Sequence, residues 1–146
     1  MPTARRSRTI AASVEELWEV ARDPHHLPRW WPRVTRVEDV QGDEFTEVMR
    51  TARGKVVRAD FHLARVDEST HTLRWEQRVE GTPFARLLKS AEIEVSLERA
   101  GEGTSVTIEA NQALNGFFPR FGGYMVRRAA QATIDEALDG LERISG

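Results

Sequence analysis

Hydrophobic and polar positions alternate along this chain with two different periods. Val126, Ala130, Ile134, Ala137, Leu141 and Ile144 recur at three- and four-residue spacing between Arg127, Arg128, Asp135, Glu136 and Glu142. That is the stripe of a long amphipathic helix, entered through Gly122-Gly123. Most of the preceding chain keeps a period of two. In Val56 to Val66, Val57, Ala59, Phe61 and Leu63 oppose Arg58, Asp60 and His62; beyond the Asp67 to Ser69 turn, His71, Leu73, Trp75, Gln77 and Val79 oppose Thr72, Arg74, Glu76 and Arg78. After Gly81-Thr82-Pro83, a strand over Phe84 to Leu97 shows Ala91, Ile93, Val95 and Leu97 on one face. Across the Gly101-Glu102-Gly103 hairpin, Thr104, Val106, Ile108 and Ala110 alternate with Ser105, Thr107 and Glu109. Each is a half-buried strand, apolar on one side and solvated on the other.

The first third is more mixed. Arg6 to Ala12 reads as an opening strand, and Ser13 with Glu16 has capping-box spacing ahead of a helix carrying Val14, Leu17, Trp18 and Ala21. Asp23-Pro24 then caps a second short helical turn, His25 to Trp30, which Pro32 stops. Val34 to Val40 and Phe45 to Arg53 are strands around a Gln41-Gly42-Asp43 turn, with imperfect alternation that leaves the register open. The strands are too polar to bury themselves alone, and the terminal stripe supplies the missing cover. The expected fold is α+β, a helix-grip arrangement in which a curved antiparallel sheet and two short helices in the N-terminal half surround a long C-terminal helix.

The 146 residues fit one domain, 1–146, with no internal repeat or low-complexity linker. The 21 basic and 23 acidic residues nearly cancel and are interspersed, so no nucleic-acid partner is expected. With no cysteine, disulfides, thiolate nucleophiles and thiolate metal sites are excluded. The first twelve residues lack the apolar core of a signal peptide, and no apolar run reaches membrane-spanning length. A cytoplasmic protein without stable membrane insertion is expected, and a homodimer is left open.

Asp23-Pro24-His25-His26-Leu27-Pro28-Arg29-Trp30-Trp31-Pro32, following the Leu17-Trp18 helix, resembles the corresponding segment of the START-like superfamily. That superfamily includes polyketide cyclases and dehydrases, birch-pollen-allergen-like proteins and lipid-transfer domains. The resemblance extends over nearly the whole chain and implies the helix-grip fold with a ligand space inside it. It implies no particular reaction, because the superfamily holds carriers and enzymes alike.

Aromatic residues fall on the elements that would bound such an interior. Trp30, Trp31, Phe61, Trp75, Phe117, Phe121 and Tyr124 are candidate ligand contacts, with Gln77 and Asn111 as polar partners. Trp30 and Trp31 cannot face the same way, so one packs while the other borders an opening. Access is expected beside Trp30-Trp31 and Phe117 to Gly123. Two residues could move a proton. His71 shares a strand side with Trp75, and Glu47 lies on the Phe45, Glu47, Met49 face, where burial would raise its pKa. In the other register Glu47 is solvated and Arg50 points inward. His25-His26 point apart and lack a third ligand, so no metal and no cofactor is expected. The resulting expectation is a binding or transport protein for a small hydrophobic, lipid-like or aromatic metabolite. A cyclase- or dehydrase-like enzyme and an interaction module with a collapsed interior are the alternatives.

Overall fold

The computed structural model describes residues 3–116 and 120–145. In chain order, β1 (Thr3–Ile10) is followed by α1 (Val14–Ala21), a turn of 3-10 helix and α2 (Leu27–Trp30), then β2 (Val34–Gln41), β3 (Glu44–Arg50), β4 (Val56–Asp67), β5 (Thr72–Gln77), β6 (Leu88–Ala100), β7 (Gly103–Leu114) and α3 (Arg120–Ser145). The seven strands make one curved antiparallel sheet in the order β1-β7-β6-β5-β4-β3-β2. Every neighbour except β1 is also the neighbour in sequence. This is the helix-grip architecture expected from the chain's two periods.

Local chemistry starts and stops the short helices. The Ser13 side chain accepts from the Glu16 amide at 3.1 Å, and Asp23 accepts from the His25 amide at 3.0 Å, satisfying donors that a helix start leaves orphaned. α1 buries Val14, Leu17, Trp18 and Ala21, and α2 buries Leu27 and Trp30. Against them pack Leu73, Val95, Leu97, Val106 and Ile108 of the sheet and Ile134, Ala137, Leu138 and Leu141 of α3.

The second half of α3 is clamped. Arg8 of β1 reaches Asp139 at 2.6 Å and Glu142 at 3.4 Å. Gly140 lies directly on Trp30: a Cβ there would stand 2.8 Å from the Trp30 Cα and closer still to its carbonyl oxygen. Only glycine lets the two helices approach this far.

Several boundaries differ from the sequence expectation: the opening strand is Thr3–Ile10 instead of Arg6 to Ala12, and β3 ends at Arg50 instead of Arg53. The strand placed at Phe84 to Leu97 begins at Leu88, because Pro83–Arg86 forms a 3-10 turn. α3 starts at Arg120, so Gly122 and Gly123 lie within its first turn instead of preceding it. His71 lies outside β5: it has a left-handed φ of 53° in the turn that closes the β4–β5 hairpin, and the strand starts at Thr72.

Candidate ligand-binding site

The cavity follows from unequal side-chain volumes along α3. Its second half presents Ile134, Leu138 and Leu141 to the core, all essentially inaccessible. Its first half presents Val126, Ala129, Ala130 and Thr133 towards the sheet. Small side chains opposite a concave sheet leave space that the sheet residues do not fill, and a cavity of about 370 Å³ lies there. Trp31, Phe61 and Trp75 form aromatic wall, Met49, Ala91, Ile93 and Ala110 aliphatic wall. Leu87 and Ala129 line the cavity yet are exposed, which puts its opening between the start of β6 and the first half of α3.

The aromatic wall is held from behind. Trp30, Trp31 and Trp75 meet edge to face, with centroids 5.4 Å apart for Trp30–Trp31 and Trp31–Trp75 and 6.3 Å for Trp30–Trp75. Trp30 is 2 % exposed and takes no part in the lining, whereas Trp31 does. Phe61 stacks on Phe45 at 5.6 Å.

Polar groups interrupt the wall at Glu47, Gln77, Gln112 and Thr133. The register around Glu47 is settled by β3: Phe45 and Glu47 are buried on the concave side, Thr46 donates to Asp60 and Arg50 is exposed. Glu47 pairs in register with Ala59 of β4, and Phe61, two residues on, pairs with Gln77 of β5. Glu47 Oε2 and Gln77 Nε2 are buried without a hydrogen-bond partner among the described residues. Burial pushes the Glu47 carboxyl up to about 8. The described lining holds no lysine, arginine or histidine. Its other carboxylate, Glu92, is drawn away by Arg74 at 3.7 Å and Asn111 at 3.4 Å.

Over residues 1–146 the sequence matches the family described as polyketide cyclase / dehydrase and lipid transport. The chain belongs to this family. Its START-like, helix-grip fold recurs in solved structures of low identity. A START superfamily protein from Mycobacterium smegmatis is similar at 15% identity and a TM-score of 0.79, covering 98% of this chain and 96% of that one. A protein of Thermus thermophilus shares 26% identity at a TM-score of 0.73, with 97% and 95% covered. The di-domain ARO/CYC BexL from the BE-7585A biosynthetic pathway shares 18% identity at a TM-score of 0.81; 98% of this chain covers 46% of that one. No curated protein matches the sequence.

Within this polyketide cyclase / dehydrase and lipid transport fold, the cavity brings together five residues singled out from the sequence: Glu47, Trp31, Phe61, Trp75 and Gln77. It leaves others out. His71 precedes β5 and Gln77 ends it, and the six residues of the extended strand span roughly 20 Å. The His71 ring packs edge-on against Trp18 of α1 at 5.3 Å, away from the cavity. Asn111 lies on the outer face, accepting from Thr3 and donating to Glu109; the alternation of Thr104 to Ala110 places it there by parity. Tyr124 is 47% exposed on α3 and outside the lining. Phe117 lies outside the described residues, as does the Phe121 side chain. Trp30 packs behind the wall and Trp31 forms part of it; both are buried, so neither stands at the rim of the opening expected beside them.

Sequence reasoning missed Gln112, Ala129 and Thr133, and placed Ala130 on the apolar stripe without assigning it to the site. Gln112 continues the inward series of Val106, Ile108 and Ala110 by one step. The signal at 129, 130 and 133 is smallness, which a search for chemistry-bearing side chains passes over.

Proposed function

We propose that the protein binds a compact apolar or aromatic molecule between the first half of α3 and the sheet, as a carrier or sequestering protein. The observation that carries this reading is the cavity of about 370 Å³ walled by Trp31, Phe61 and Trp75. That volume lies at the low end for ligand sites, roughly 300–1,000 Å³, which suits one fused-ring system better than a two-chain lipid. It also disfavours an interaction module with a collapsed interior.

Titration with compact aromatic compounds, read by the fluorescence of Trp31 and Trp75, tests the reading. Wild type should respond saturably, and Ala130→Phe, which fills the space from α3, should lose the response while unfolding cooperatively. An unchanged response in Ala130→Phe would place the ligand elsewhere and reject the reading.

Glu47 favours a second reading, a cyclase- or dehydrase-like enzyme. A carboxyl with a pKa near neutrality beside a ligand can take and return a proton during enolisation or loss of water. On a substrate that turns over, Glu47→Gln should lower kcat by about a hundredfold or more, while His71→Asn, far from the cavity, should not. Full activity in Glu47→Gln would end this reading.

A further inference from the structure

The unpartnered polar atoms of the cavity also define what it accepts. Among the described residues, Gln77 Nε2 is a donor without an acceptor. Glu47 Oε2 is buried with no hydrogen-bond partner among the described residues and no cation in the described lining to balance a charge. Its neighbours on the flanking strands are Val37 of β2 and Ala59 of β4. Of the charged groups beside these, Glu38, Arg36 and Arg58 pair among themselves at 2.8 and 3.2 Å, and Asp60 accepts from Thr46 at 2.6 Å. From β6, Glu92 is engaged by Arg74 and Asn111; the residues that α2, β5 and α3 contribute to the lining are uncharged. In such surroundings a carboxyl keeps its proton at neutral pH and becomes a donor, so two donors face one apolar space.

We propose that the cavity selects an uncharged ligand that presents an acceptor oxygen, such as a ketone or quinone carbonyl, to the Glu47 carboxyl and the Gln77 amide, and that it rejects carboxylates. This rests on the ligand-binding reading above and narrows it. An anionic ligand would enter without a counter-charge, losing its hydration uncompensated. An amine would be balanced only by ionising Glu47, so its binding would rise with pH where a ketone's falls.

Four probes of one shape separate the cases: naphthalene, acetylnaphthalene, naphthoate and aminomethylnaphthalene. Each is titrated against the full chain at pH values roughly two units below and above the Glu47 midpoint. At the lower pH, acetylnaphthalene should bind about five- to tenfold tighter than naphthalene, as a satisfied buried hydrogen bond allows, and naphthoate more weakly than naphthalene. At the higher pH that ketone advantage should shrink in wild type, which keeps only the Gln77 donor, and persist in Glu47→Gln, whose amide still donates. Gln77→Met should lower the advantage at both values without changing the pH dependence. A ketone advantage that is absent or indifferent to pH in wild type, or tightest binding by naphthoate or the amine at the lower pH, would overturn the proposal and leave the cavity reading intact. If not even naphthalene binds, the cavity reading falls and the proposal with it.

Discussion

Glu47 couples the stability of the protein to pH. Its carboxyl titrates near 4.5 in the unfolded chain and near 8 when folded, because burial disfavours the charged form. Between those values the folded state holds a proton the unfolded state has released, so stability falls as pH rises. The contribution is full below the lower value and gone above the higher one, on the order of a few kcal/mol in all. Glu47→Gln removes it. Denaturant unfolding of both proteins should therefore show wild type losing stability relative to the variant across that window, and parallel profiles would mean the carboxyl is hydrated. Asp23 and Asp67 add the opposite slope in acid, since hydrogen bonds hold both below the usual range, but they do so equally in both proteins.

Two glycines of α3 give opposite expectations. Alanine favours a helix over glycine by about 1 kcal/mol. At Gly140 that gain is outweighed by collision with the Trp30 backbone, an overpacking cost of about 1–3 kcal/mol or more because neither main chain can give way. At Gly123 a Cβ meets nothing within 4 Å. Thermal unfolding should show Gly140→Ala lowering Tm and Gly123→Ala raising or preserving it; a rise at both would show that α2 and α3 are less tightly joined. Element type was largely legible because one sheet face is buried, which forces the alternation of Thr104 to Ala110 and the stripe of Ile134, Ala137 and Leu141. What escaped the pattern was governed by turn geometry and volume. The left-handed conformation at His71 delayed β5 by one residue, Pro83 turned a strand start into a 3-10 turn, and the cavity depends on Ala129 and Ala130 being small. Glu47 could be placed on a face but not in or out, since β2 and β3 pair with shifts at Val34/Arg36 and Glu38/Gln41.

At the scale of the whole molecule, the cavity lies beside the half of α3 whose described side chains facing the sheet are small. Arg8, Trp30 and the buried stretch from Ile134 to Leu141 fix its second half, and the first half spans the concave sheet without filling it. The same strand order has a kinetic side. From β2 to β7 each strand pairs with its successor, so that meander can grow by local hairpins. β1 cannot: its register joins Thr3 to Asn111 and Ile10 to Thr104, and bringing such distant segments together costs loop entropy before any contact rewards it. β1 should dock after the rate-limiting barrier. Ile10→Val, which trims a residue 1% exposed, should then speed unfolding while leaving the refolding rate nearly unchanged in stopped-flow measurements. The chain would reach its barrier as a six-stranded meander with β7 still at an edge, and the arrival of its first strand would be the step that covers β7 and completes the sheet.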